Sequence, residues 1–170
     1  MTGITALLRE VLQLGYVTDD LPRAVAHFEE RLGTSKCMVI WKSSLGGGVV
    51  VDGAVADEWV IDVAMVNAGP TNYELIQPVS GAVDLYRAGI RPGAVATFHH
   101  VGYRVASFAA ASEAVAADGR AWKQYGDMGA AVKFGYLDLT AELGHYAEVM
   151  ELGDGMRSVF ARLERESNGE

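Results

Sequence analysis

The sequence predicts an α+β fold in which two tandem β-α-β-β-β modules join into one curved, mixed sheet around a cleft. Three observations predict it. First, the run LQLGYVTDD at Leu12–Asp20 has a counterpart in HHVGYRVAS at His99–Ser107. Aligning Gln13 with His100 superposes Gly15 on Gly102, Tyr16 on Tyr103, Asp20 on Ser107 and Ala24 on Ala111. Second, each run is followed by a helical pattern and then by short β-type runs broken by turn residues. Third, the last runs align as well, with Glu74-Leu75-Ile76-Gln77 against Glu148-Val149-Met150-Glu151. Two apolar strands can match by chance, so the repeat rests on the shared order of elements.

Residues 1–9 form an N-terminal extension and residues 10–78 the first module. Asp20 is suited to cap a helix in which Leu21, Ala24, Val25, Phe28 and Leu32 keep the three-four spacing, and Gly33 ends it. Strand-like runs follow at Cys37–Trp41, Val49–Val51, Trp59–Val66 and Asn72–Ile76. Residues 79–97 are a connector with a helical piece near Ala82–Arg87 and a turn at Pro92-Gly93. The second module spans residues 98–152. Ser107 caps its Ala-rich helix, which ends at Gly119, and strands follow at Ala121–Tyr125, Ala131–Asp138 and His145–Glu151. In the tail, residues 153–170, the spacing of Met156, Val159, Phe160 and Leu163 marks one apolar helical face. That face packs on the body or on a second subunit.

Composition bounds the function. A chain of 170 residues, half of them hydrophobic, can bury a full core. A net charge of −8 argues against nucleic acid and against an anionic membrane surface, both of which need a basic face. With one cysteine, Cys37, there is no internal disulfide, and the N-terminus lacks the pattern of a secretory leader; a cytoplasmic protein is expected.

Two modules of this kind each leave one sheet face uncovered, and pairing those faces about a pseudo-two-fold axis forms the cleft. Side chains alternate along strands, so Gln13 shares a face with Gly15, His100 with Gly102, Glu74 with Ile76 and Glu148 with Met150. The glycines leave space beside Gln13 and His100. Each module thus offers one ligand from its first strand and one carboxylate from its last. A lone polar residue at a strand edge is usually solvated; four at matched repeat positions point to a metal site. Two carboxylates neutralise a divalent cation, which offsets the cost of burying the charges. Four protein ligands on a six-coordinate ion leave two positions for neighbouring substrate oxygens. His99, on the opposite face by alternation, is read as packing toward the helix in a structural role.

These segments, together with YELIQP and GHYAEVMEL, resemble the vicinal oxygen chelate superfamily, which includes glyoxalase I, methylmalonyl-CoA epimerase, extradiol dioxygenases and bleomycin-resistance proteins. The resemblance covers Leu12 to Leu152 and is greatest to the epimerase-like, glyoxalase branch. It implies metal ligands at Gln13, Glu74, His100 and Glu148, an order similar to that of some glyoxalases. Methylmalonyl-CoA epimerases typically carry histidine at the position of Gln13 and glutamine at that of Glu74. Extradiol dioxygenases use two histidines and one carboxylate for iron, so Gln13 disfavours ring cleavage. The implied activity is a divalent-metal-dependent isomerase or epimerase that removes a proton next to a metal-bound carbonyl, through an enolate, on a small acyl or thioester substrate. One divalent ion per chain is implied, whether zinc, nickel, cobalt, manganese or magnesium. By the same resemblance Glu148 is the first candidate base, Asp57 and Glu58 are candidates for a second, and the chain is a homodimer acting on a small molecule. Two alternatives stand beside this: a glyoxalase I-like lyase on a thiol–aldehyde hemithioacetal, and a metal-free protein that binds an antibiotic or similar ligand.

Other features have plainer readings. Gly46-Gly47-Gly48 does not link a strand to a long helix and is a flexible hairpin tip able to close over the cleft rather than a phosphate loop. Trp41, Trp122, Tyr125 and Phe134 fill cores or line a pocket. His145 sits at the start of a strand near the site, and Cys37 has no basic neighbours to activate it.

Overall fold

The computed structural model describes residues 3–34, 37–45 and 48–169. After a 3-10 turn at Ile4–Ala6, the first half runs β1 (Val11–Val17), α1 (Leu21–Leu32), β2 (Met38–Ser44), β3 (Val49–Val51), β4 (Ala54–Val55), β5 (Trp59–Ala68) and β6 (Thr71–Gly81). The connector holds α2 (Asp84–Arg87). The second half runs β7 (Thr97–Arg104), α3 (Phe108–Ala117), β8 (Gln124–Asp127), β9 (Val132–Leu139), α4 (Thr140–Leu143) and β10 (His145–Leu152), and α5 (Asp154–Ser167) follows. Among the described residues ten strands form one curled sheet in the order β2-β5-β6-β1-β7-β10-β9-β8-β3-β4.

The repeat governs this order. The first strands of the two halves, β1 and β7, meet antiparallel at the centre. Each is flanked on its other side, in parallel, by the last strand of its own half, β6 or β10. The helices repeat too. Asp20 accepts from Arg23 N at 3.0 Å and Ser107 accepts from Ala110 N at 3.2 Å, so both N-caps are made as the sequence predicts. Gly33 closes α1 at φ 68°, a conformation in which a Cβ is strained. A second cap comes from the strands. Gln77 on β6 accepts from Leu21 N, and its repeat partner Glu151 on β10 accepts from Phe108 N, each at 2.7 Å. Aligned residues therefore tie the first free amide of each helix to the strand carrying the candidate carboxylate.

The core divides by sheet face. On one face Leu21 and Ala24 of α1 pack on Ala64 and Leu75, and Ala111 and Val115 of α3 pack on Leu137 and Val149. The other face, inside the curl, carries the largest cluster, with Val63, Ile76, Phe134, Met150 and Leu152. Helix α5 lies against that cluster through Met156, Val159, Phe160 and Leu163, the face its spacing predicts.

Two expectations are corrected. Val49–Val51 does not extend the sheet of its own half; as β3 it pairs with β8 of the other half, Val50 opposite Tyr125. Completely buried Val49 anchors it there. The strand expected from Ala121 begins at Gln124, because Trp122 is drawn toward α3, stacked on Phe108 at 5.1 Å with its indole N–H donating to Ser112 Oγ. Gly46 and Gly47 of the expected hairpin tip lie outside the described residues.

Removing either strand-borne cap leaves a helix amide without its partner, and Leu21 is fully buried. Gln77→Ala and Glu151→Ala are each expected to destabilise by about 1 kcal/mol, lowering the melting temperature by about 3 °C in a chain of this size, as thermal unfolding by circular dichroism would read.

A candidate metal centre beneath an apolar cavity

The site follows from the register of the central strands. Across the β1–β7 seam Gly15 lies opposite His100 and Gln13 opposite Gly102. On the outer sides Gly15 is paired with Glu74 and Gly102 with Glu148. Each row of the sheet therefore sets a glycine between two candidate ligands, Glu74–Gly15–His100 in one row and Gln13–Gly102–Glu148 in the next. The space is occupied by the ligands themselves. A Cβ on Gly15 would stand 1.8 Å from the His100 ring, and one on Gly102 would stand 2.6 Å from Gln13 Cγ.

Four polar atoms meet there. Gln13 Nε2 donates to Glu74 Oε2 at 3.0 Å and to Glu148 Oε2 at 3.2 Å. His100 Nε2 lies 3.3 Å from each of the same two oxygens. It is completely buried and in ion-pair range of both carboxylates, yet aligned with neither as a hydrogen bond. Neighbouring corners 3.0–3.3 Å apart suit nitrogen and oxygen ligands set around one divalent ion. Gln13 would have to present Oε1 in place of its amide nitrogen, which a half-turn of the terminal amide achieves. Glu74, His100 and Glu148 are a group able to hold a cation. The donor set fits one.

Electrostatics are consistent with this. Burial pulls the His100 imidazole down, but the close carboxylates of Glu148 and Glu74 outweigh it and raise it to about 9. The protein without a cation therefore places a proton between the carboxylates. Burial raises the Glu74 carboxyl above its ordinary range, with the His100 contact opposing and the Glu148 charge adding.

His99 departs from the alternating pattern for an identifiable reason. On β7 Gly15 pairs with His100 but Tyr16 pairs with Phe98, so His99 is the extra residue of a β-bulge, and its side chain is re-aimed toward His100. The repeat-equivalent Leu12 is bulged in the same way between Val11 and Gln13. His99 Nδ1 sits 3.0 Å from His100 Nδ1, while its Nε2 sits 3.1 Å from the Leu85 carbonyl. Burial and the His100 charge push His99 down to about 3, so it is neutral. A carbonyl only accepts, so His99 Nε2 carries the hydrogen and Nδ1 accepts from His100 Nδ1–H. The chain Leu85–His99–His100 fixes the tautomer of His100 and leaves its Nε2 as the atom facing the carboxylates. His99 does pack on a helix, but on the connector's α2, and it supports the site.

Above the four atoms lies a cavity of about 100 Å³. Gln13, Glu74 and Glu148 form its polar end, and Tyr86 of α2 and Tyr136 of β9 stand close to them. Both tyrosines are buried and raised by that burial, so they stay protonated, and Gln124 Nε2 donates to Tyr86 Oη at 2.8 Å. Neither tyrosine was legible as a site residue: Tyr86 sits in a connector, and Tyr136 reads as ordinary strand. Among the aromatics singled out from sequence, Phe134 lines the cavity; Trp41 is exposed and Trp122 packs on α3. Asp57 and Glu58 are exposed, outside the cavity lining, with Glu58 accepting from Ser80 Oγ. They sit where the chain returns from the β3–β4 excursion, and the structure does not bring them to the other four. His145 bonds the Tyr146 carbonyl and lies edge-on to Phe98 rather than in the cavity. Burial and Glu29 push the Cys37 thiol up to about 12, so it is unreactive.

Gly15→Ala should displace the His100 ring, costing about 1–3 kcal/mol by overpacking, whereas Ala at Gly69, where a Cβ meets nothing, should lack the clash and show only the cost of its left-handed backbone. Urea unfolding compares the two.

The sequence pattern of the Glyoxalase/Bleomycin resistance protein/Dioxygenase superfamily matches residues 12–136. No curated protein matches the chain in sequence. Among solved structures, methylmalonyl-CoA epimerase from Mycobacterium tuberculosis is similar with a TM-score of 0.57 at 13% identity, over 89% of this chain and 93% of that one. A Streptomyces coelicolor methylmalonyl-CoA epimerase variant in complex with 2-nitronate-propionyl-CoA gives 0.58 at 14% identity, over 86% and 96%. At such identities the likeness is one of fold. Because the family pattern covers most of the chain, from Leu12 into β9, the chain belongs to the Glyoxalase/Bleomycin resistance protein/Dioxygenase superfamily.

Proposed function

We propose that the protein is a divalent-metal-dependent isomerase that moves a proton on the carbon next to a carbonyl. The observation that carries this reading is the buried Nε2 of His100, held 3.3 Å from both Glu74 and Glu148 with no hydrogen bond of its own. Gln13, Glu74, His100 and Glu148 would hold the ion, which could be zinc, nickel, cobalt, manganese or magnesium. When bound, such an ion polarises a carbonyl and makes the adjacent C–H more acidic, an effect of several kcal/mol.

The chain's own groups do the rest. Glu148 is the proposed base, through a carboxylate oxygen free of the ion, because it lies at the polar end of the cavity. Glu74, its repeat-related counterpart at the same polar end, is the group best placed to return the proton. That assignment replaces Asp57 and Glu58 in the present proposal, since neither lines the cavity. His99 keeps Nε2 of His100 turned inward, and the apolar wall excludes water.

A second reading is favoured by the wall itself: an apolar cavity suits a metal-free binding protein. A glyoxalase I-like lyase is separated from both by direct assay on the methylglyoxal hemithioacetal. A homodimer also belongs to the proposal, supported by the exposed Ile40 and Trp41 on edge strand β2 and tested by sedimentation. Among the described residues no helix is long and apolar enough to cross a membrane, and a cytoplasmic location is proposed with the rest.

Elemental analysis of gently purified protein is expected to give about one divalent ion per chain, lost in the Glu74→Ala, Glu148→Ala double variant; no metal after reconstitution would leave the binding-protein reading. Glu148→Gln should abolish turnover with the fold intact, and near-normal activity would remove Glu148 as the base. His99→Phe should lower zinc affinity about 10- to 100-fold, read by competition with a chelating dye.

A further inference from the structure

The cavity wall points to the kind of molecule that enters. Beyond the polar end it is built almost wholly from hydrophobic side chains. Four of the chain's six methionines, Met65, Met128, Met150 and Met156, line it together with Trp59 and Phe134. Among the described residues no lysine or arginine does. The arginines of α5 that come nearest in sequence are committed elsewhere: Arg157 donates to the Leu152 carbonyl and Asp154, and Arg162 contacts Met38 sulfur. A carboxylate or phosphate drawn into this wall would lose its water without gaining a cationic side chain there. Thioether side chains, by contrast, adapt to irregular apolar shapes and pack well on rings. Size adds a second limit. At about 100 Å³, below the roughly 150 Å³ of cavities that take up benzene, the space as it stands suits a branched alkyl group, and an aryl ring once it widens. Met156 and Phe160 of α5 form part of the wall, so a modest shift of one helix would enlarge it.

We infer that the part of the substrate entering this cavity is uncharged, small and apolar, a compact aryl or branched alkyl group attached to the oxygen-bearing head. This deepens the proposed function and rests on it for the head.

Calorimetric titration of zinc-loaded protein with three probes tests it: acetohydroxamate, benzohydroxamate and 4-carboxybenzohydroxamate, which share a two-oxygen head. Benzohydroxamate is expected to bind at least tenfold more tightly than either of the others. Met156→Trp, which fills the cavity from α5, should erase that advantage at unchanged zinc stoichiometry, and Phe160→Trp serves if the first variant does not fold. Equal or tighter binding of the carboxylated probe would overturn the inference while leaving the metal reading intact. Should zinc fail to bind, the metal reading falls. The inference is then decided on metal-free protein by ligand-observed NMR of anisole against benzoate: preference for anisole sustains it, and equal or stronger binding of benzoate overturns it.

Discussion

Everything at the centre of this molecule depends on the antiparallel register of β1 and β7. With Gly15 opposite His100 and Gln13 opposite Gly102, the two strands clear room for each other's ligands by the same device, used twice about a pseudo-two-fold axis. Parallel pairing to β6 and β10 then carries a glutamate to the far side of each glycine. Because side chains alternate with a period of two, a slip of one residue at the seam would turn the two polar groups of one half away from those of the other. The matched bulges at Leu12 and His99 pin the register of the seam against such a slip.

The polar core is tolerable because its parts answer one another. Two carboxylates in a region this dry need positive charge, and His100 supplies it when no ion is present. A protonated His100 in turn needs a neutral acceptor behind it. His99 meets that need, since its other nitrogen is committed to the Leu85 carbonyl. Helix α2 was expected only to connect the modules. It nevertheless provides both that carbonyl and Tyr86, so the connector contributes to the site on two counts.

Much of this was legible in the sequence. The repeat, the N-caps at Asp20 and Ser107, the apolar face of the tail and the meeting of Gln13, Glu74, His100 and Glu148 all follow from alternation and helical spacing. What was not legible has particular causes. A bulge defeats the period-two rule, so His99 was assigned to the wrong face. Strand β3 is too short to reveal its partner by pattern, and pairing with β8 depends on the path of the intervening chain. Tyr86 reaches the cavity only through tertiary packing. Asp57 and Glu58 were proposed from spacing along the chain, which says little about where a residue lies after an excursion like β3–β4.

That excursion also has a consequence for how the molecule is made. Strand β3 is synthesised with the first half, yet its ladder partner β8 appears only in the second. The outer edge of the sheet therefore cannot assemble until most of the chain is present, and its closure draws on contacts of long sequence separation, which slow folding. The two halves are alike in pattern but not in independence: cutting the chain between them would strand β3 and β4 without a neighbour and leave the β8 edge bare. Duplication supplied the symmetry, and this one asymmetric crossing binds the copies into a single cooperative unit.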